Sequence, residues 1–262
     1  MSDTSLLLFF SVLPIILILV FVYAKDKNKE PILLLLKLFI LGIISCFLVL
    51  KLSDVLRIFL PFMNMKVRDM DFINVLLYSF IGVALVEEIC KWIMVYLGGY
   101  RNKEFDELYD IIVYAVFVSL GFAFFENIVY VFYNGQLKTA LLRALSAIPG
   151  HACDAVFMGY YLSIAKQHFY KGEKKKEIQY IILSILIPTL LHGIYDFCLM
   201  SGYNVLVLVF IIFVISLYII SLDKLKNMAS INKKINYKNK FCKKCGTKVV
   251  NGFCPKCGSR QE

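Results

Sequence analysis

Apolar residues run along this chain in seven blocks of spanning length, near 6–24, 32–52, 72–98, 109–133, 139–166, 178–200 and 203–222, parted by short polar segments. A bilayer core needs about 20 such residues in a helix, and only helices or closed barrels can satisfy backbone groups inside it. Blocks this long predict helices, so the expected class is all-α: a polytopic membrane helix bundle of about seven transmembrane helices. The first block has no basic n-region and no small-residue cleavage site, so it reads as a span and not a signal peptide. Composition agrees, with 60% hydrophobic residues and a mean hydropathy of +0.72.

The informative positions are those that break the apolar pattern inside the blocks. The third block carries Glu87, Glu88 and Lys91. A charge at such depth costs about 2.5–3.5 kcal/mol even on lenient insertion scales. On a helix Lys91 lies four residues from Glu87 and three from Glu88, so one turn can hold an ion pair. The fourth block carries Glu126 beside Asn127, with no basic partner in its own span. The fifth carries Pro149-Gly150-His151 and then Asp154, with Pro149 expected to kink the helix. In the sixth, His192 and Asp196 are one turn apart, so the aspartate can accept from the imidazole and fix its tautomer. At about 1.5 Å of rise per residue, Glu87 and Glu88 fall near the midplane, and Glu126, His151 and His192 lie near it or toward the outer leaflet. Four helices can therefore bring their polar side chains together.

Each of these residues alone has an ordinary reading. Glu87–Lys91 could be a structural ion pair, His151 or His192 an interhelical contact, Glu126 a buried protonated acid, and Asp196 only the partner of His192. Together they suit hydrolysis, with a carboxylate as general base and His or Asn steadying an oxyanion. They also suit a catalytic metal held by histidines and a glutamate, or a proton or ion pathway.

Glu87-Glu88-x-x-Lys91, Phe122-x-x-x-Glu126-Asn127, His151 and His192-x-x-x-Asp196, one motif per successive helix, resemble the motifs of the PrsW family of intramembrane proteases. That family lies within the superfamily of CAAX-processing and bacteriocin-processing membrane proteases. Asp26 to Pro31, Tyr109-Asp110-x-x-Val113-Tyr114 and Ser119-Leu120-Gly121-Phe122 extend the resemblance over roughly residues 10–222. It implies a multi-span protease making the first, extracytoplasmic-side cut in a membrane-anchored substrate such as an anti-sigma factor. On the same resemblance Glu87 or Glu88 activates water. Glu126, His151 and His192 bind an active-site metal such as zinc or stabilise the oxyanion, and Lys91, Asn127 and Asp196 support them. His151 has Ala155 at i+4, so the His-x-x-x-Asp pattern is incomplete there.

Charge sets the expected orientation. Segments 25–30, 99–108 and 166–177 hold ten Lys or Arg, against six in the alternate segments. Residues 223–262 add eleven against two acids. Positive residues mark the cytoplasmic side, which predicts a multi-pass cell-membrane protein with its N-terminus outside and C-terminus in the cytoplasm. Cys46, Cys90, Cys153 and Cys198 are scattered through spans and read as small buried residues. Cys242, Cys245, Cys254 and Cys257 form two Cys-x-x-Cys-Gly knuckles around Asn251-Gly252, the spacing of a short structural zinc ribbon. The expected organisation is a protease domain, 1–222, a basic linker, 223–240, and a zinc ribbon, 241–262. The expected partners are a single-span membrane protein substrate, the lipid bilayer and a cytoplasmic protein bound by the ribbon. Few stacking aromatics in the ribbon argue against nucleic acid. The alternative is a non-catalytic membrane scaffold, sensor or transporter built on the same polar cluster.

Overall fold

The structure, a computed structural model, describes residues 3–231 together with 256–257. Every regular element among them is a helix. In chain order these are α1 (Asp3–Lys25), α2 (Ile32–Phe59), α3 (Phe72–Tyr100), α4 (Asp110–Asn134), α5 (Leu137–Leu145), α6 (Ala147–Lys171), α7 (Lys174–Met200) and α8 (Asn204–Ile231). Two short 3-10 turns, Pro61–Asn64 and Val67–Asp69, join α2 to α3.

Six of these helices, α1 to α4, α7 and α8, are long and apolar enough to cross a membrane. Of the other two, α5 has only nine residues, whereas α6 has 25 and is therefore about 37 Å long, which is also sufficient in length. It falls short on apolarity because it carries His151, Asp154 and a basic last turn. Sixteen of its residues are buried, so its polar groups face other helices and not lipid.

The expected single span over 139–166 is divided. An unbroken helix would press the Pro149 ring against the Leu145 carbonyl. The backbone instead breaks at Ser146 (φ −125°, ψ −58°), and Pro149 becomes the third residue of α6, where it has no helical hydrogen bond to lose. The freed carbonyl of Leu145 accepts from the Tyr218 hydroxyl at 2.7 Å, and that of Ser146, which also accepts the Gly150 N–H, lies 3.2 Å from the same hydroxyl. The break lets α5 run as a separate amphipathic segment.

The centre of the bundle is α4: 78% of its most apolar window is buried, against 17–39% for the other five spans. Close backbone approach makes this possible. A Cβ on Gly42 of α2 would lie 1.9 Å from the Val118 carbonyl oxygen, and one on Gly121 of α4 would lie 2.0 Å from that of Phe39. Small residues at such crossings let helices gain dispersion contact where lipid offers no hydrophobic drive. Helix α3 departs from α-geometry twice, with π-helical turns over Tyr78–Leu85 and Tyr96–Tyr100. The first ends two residues before Glu87.

Cys46, Cys90, Cys153 and Cys198 are buried thiols, as expected. His168 lies flat on Tyr180, ring centroids 5.2 Å apart, with Nδ1 2.8 Å from Glu173. Of the zinc-ribbon residues, Cys242, Cys245 and Cys254 lie outside the described residues, and Cys257 is an exposed turn residue.

Replacing Gly121 by Ala forces α2 from α4 and lowers stability by about 1–3 kcal/mol, the range for overpacking. Gly150→Ala, whose Cβ meets only the Tyr195 ring at 3.8 Å, does not lower it. Thermal melts of the detergent-solubilised protein check the contrast.

Candidate active site

Lys91 is the hub of the polar cluster. Its side chain is fully buried, and its ammonium lies 2.8 Å from Glu88 Oε1 and 3.2 Å from Glu87 Oε2. It also contacts Nδ1 of His151 at 3.1 Å and sits 4.1 Å from the centroid of the Phe122 ring. The i,i+3 and i,i+4 spacing supplies the first pair of contacts within α3. The others come from α4 and α6, so the bundle must assemble before they exist.

The contact with His151 fixes a tautomer. An ammonium can only donate, so Nδ1 of His151 presents its lone pair, and the ring proton is on Nε2. That nitrogen donates to Glu126 Oε2 at 2.9 Å. Ser119 holds the backbone of the same residue, donating to the His151 carbonyl at 2.8 Å. His192 approaches from α7, its ring centroid 5.3 Å from that of His151. Its Nδ1 lies 3.0 Å from Glu88 Oε1, and its Nε2 lies 3.5 Å from Asp196 Oδ2 and 3.8 Å from Glu87 Oε2. The expected His192–Asp196 hydrogen bond is thus a longer electrostatic contact, and the short imidazole contact goes to Glu88 on another helix.

All eight intramembrane residues singled out from the sequence, Glu87, Glu88, Lys91, Glu126, Asn127, His151, His192 and Asp196, meet in this one region. Two further residues belong with them. Arg143, counted from the sequence as an outer-loop charge, donates through Nη2 to Glu126 at 2.8 Å and through Nε to Asn127 Oδ1 at 2.7 Å. Its guanidinium also lies over Tyr130, 4.3 Å from the ring centroid. The sequence held a signal for it: a base inside the fifth apolar block, next to a fourth block whose glutamate had no partner. Asp154, one position early for the motif, is 4% exposed and contributes an oxygen to a group with Glu88, His151 and His192.

In that group one ligand-type atom from each residue lies within 4.8 Å of the others. A two-imidazole, two-carboxylate set suits a first-row divalent ion such as zinc. Three further observations fit the residues to a metal. Buried oxygens Glu88 Oε2, Asp154 Oδ1 and Asp196 Oδ2 have no hydrogen-bond partner. His151 has Nε2 anchored by a carboxylate, which leaves Nδ1, here accepting from Lys91, as the nitrogen that would turn to an ion. Five carboxylates, Glu87, Glu88, Glu126, Asp154 and Asp196, face two fixed cations, Lys91 and Arg143, so negative charge is in excess.

A cavity of about 40 Å³ touches Glu126, Arg143, His151, Asp154, His192 and Asp196. That is room for at least one water. A larger groove of about 390 Å³ reaches Glu87, Glu126, His192 and Asp196 from a mouth lined by Tyr78, Tyr130, Met200 and Phe210. These four residues belong to the ends of α3, α4, α7 and α8 that share one face of the bundle.

Removing the hub has a defined effect. Lys91→Met leaves Glu87 and Glu88 buried without their counter-charge and lowers stability by about 3–5 kcal/mol. The double substitution Lys91→Met with Glu88→Gln recovers part of the loss, as thermal melts in detergent would register.

Comparison with known proteins agrees with this geometry. The family described as PrsW family intramembrane metalloprotease matches residues 30–220. The chain is 35% identical over 234 residues to a Protease PrsW of Clostridioides difficile (strain 630), covering 87% of this chain and 94% of that protein. It is 38% identical to a Protease PrsW of Oceanobacillus iheyensis, covering 81% and 91%. It is 35% identical to a Protease PrsW of Bacillus subtilis (strain 168), covering 84% and 94%. No solved structure matches. A multi-pass bundle whose buried carboxylates and imidazoles meet beneath a groove, matched along most of its length by these proteases, belongs to the PrsW family of intramembrane metalloproteases.

Proposed function

We propose that this protease makes the first cut in a single-span membrane protein of the anti-sigma type, on the extracytoplasmic side. The observation that carries the reading is the groove of about 390 Å³ that descends from one face of the bundle to Glu87, Glu126, His192 and Asp196. Its mouth is lined by aromatic and apolar side chains, which suit an unwound, largely apolar segment. The excess of Lys and Arg in the segments at the opposite face supports the groove opening away from the cytoplasm.

In this reading Glu87 is the general base. It lines the groove, whereas Glu88 is fully buried and turned toward Lys91 and His192. Glu87 takes the proton of the attacking water and hands it to the leaving amine. Glu88, His151, Asp154 and His192 are the residues that would hold the metal. When bound, that ion supplies Lewis-acid polarisation of the scissile carbonyl and a water of lowered pKa. Glu126 fixes His151 through Nε2, and Arg143 with Asn127 fixes Glu126. Lys91 holds both glutamates in register. In the tail, the four cysteines would bind a structural zinc, and that ribbon would dock a cytoplasmic protein.

Co-expression with a single-span anti-sigma-type substrate tests the assignment. Glu87→Gln lowers cleavage by at least about 100-fold, the scale of a lost general base. His192→Ala abolishes it, and both variants insert at wild-type level on immunoblot. Equal product from all three would overturn the hydrolytic role. Chelation of the purified enzyme removes activity and a first-row divalent ion restores it. Orientation is checked separately: alkaline phosphatase fused at Gly135 is active, and fused at Gly172 it is not.

A further inference from the structure

A second concentration of buried acid lies at the other end of α4, sixteen residues and about 24 Å from Glu126. The segment between α1 and α2 folds Asp26 and Glu30 onto the start of α4. There one carboxylate oxygen from each of Asp26, Glu30 and Asp110 lies within 4.8 Å of the others. Asp110 is completely buried, and Asp26 and Glu30 are 3% and 6% exposed.

Glu107 extends the group from outside those three. It is 2% exposed, donates its backbone N–H to Asp110 Oδ2 at 2.7 Å, and accepts the Asn28 side-chain amide on Oε1. Asn28 also reaches Asp26, donating its backbone N–H to Oδ1 at 3.2 Å. The second oxygen of Glu107, Oε2, is buried without a partner, as are Asp26 Oδ2 and Asp110 Oδ1. Three orphaned carboxylate oxygens in one buried patch are an unmet demand for a cation or for protons.

Among the described residues no Lys or Arg forms an ion pair with any of these four acids. Lys27 donates to the Ser230 carbonyl, and Lys29, whose charge offsets part of the burial of Asp26, donates to the Asp26 carbonyl oxygen and lies over the Tyr23 ring. Among the described residues the only side-chain donor to Glu30 is the Tyr114 hydroxyl, which contacts Oε2. Burial, with the neighbouring Asp26, Asp106 and Glu104 charges, pushes the Glu30 carboxyl up to about 7. Burial likewise raises Asp26.

We propose that Asp26, Glu30, Glu107 and Asp110 form a second metal site, for a divalent cation of the Mg²⁺, Ca²⁺ and Mn²⁺ class. The donors are all oxygen, which selects hard cations over zinc or copper. The site contains no imidazole or thiolate, in contrast to the group around Lys91. A cation here clamps the α1–α2 connection to the first turn of α4, the helix that carries Glu126 and Asn127 at its other end.

The test uses Mn²⁺ itself, read by the loss of its free electron paramagnetic resonance signal on titration into the full-length, detergent-solubilised protein. Residual metal is first removed, and tail cysteines are kept zinc-loaded. The protein carries His192→Ala, which disables the other candidate site. One Mn²⁺ per chain is expected to bind, displaced by excess Ca²⁺ or Mg²⁺. Adding Glu30→Gln, which keeps an oxygen for Tyr114, is expected to weaken binding at least tenfold, as is Asp110→Asn. Should Asp110→Asn fail to fold, Glu30→Gln decides alone. Absence of bound Mn²⁺ in the His192→Ala protein would mean that protons neutralise these acids, and the proposal falls. Binding unchanged by either added substitution would place the ion elsewhere and overturn it equally. No cleavage is measured, so either result leaves the protease reading untouched.

Discussion

The arrangement around Lys91 is the constraint on which the rest of the bundle depends. An ammonium with no exposure at all must find acceptors, because uncompensated charge in a low-dielectric interior costs far more than helix packing returns. Lys91 finds two carboxylates on its own helix and an imidazole on α6. Those carboxylates in turn require α7, since Glu88 is shared with His192. Through Glu126, the same chain of contacts draws in α4 and then α5, where Arg143 sits. Four other helices are thereby tied to one turn of α3. Lys91, Glu88, His151, Glu126 and His192 each hold at least one other member, which orders these groups before any substrate arrives, as electrostatic stabilisation of a transition state demands.

Local backbone irregularities aim these groups. The break at Ser146 turns what would be one long helix into two, and so brings Arg143 back against Glu126 and Asn127. The π-helical turn over Tyr78–Leu85 lies directly before Glu87, where π insertions are often found at functional sites. Alongside it, Gly193 lets α7 settle on Phe80: a Cβ there would be 2.4 Å from the ring. His192 is the adjacent residue, so that close approach helps set its distance to Glu88. At the bundle centre, the paired approach of Gly42 and Gly121 seats α2 against α4 and leaves α4 almost wholly screened from lipid.

Helix α4 therefore carries a polar group at each end: Glu126 with Asn127 under the groove, and Asp110 among the buried acids of the opposite face. The two differ in chemistry. One mixes carboxylates with imidazoles and fixed cations, and can both bind and move protons. The other has carboxylates held by amide and hydroxyl donors.

The sequence by itself determined the helical class, because only long apolar blocks satisfy the bilayer, and it determined which side chains carry the chemistry, because each charged residue in such a block is expensive enough to stand out. Glu87, Glu88, Lys91, Glu126, His151 and His192 were legible for that reason, and the i,i+4 ion pair in α3 followed from spacing alone. Partners on other helices were not. Spacing within a helix says nothing about which neighbour a side chain faces, so the short contact of His192 with Glu88, the place of Asp154 beside them and the capture of Glu126 by Arg143 belong to the tertiary structure. So does the split of the fifth apolar block. Pro149 announced a disturbance there, but whether a proline kinks a helix or begins a new one is decided by what donates to the freed carbonyl, and here that is Tyr218, some 70 residues further along the chain.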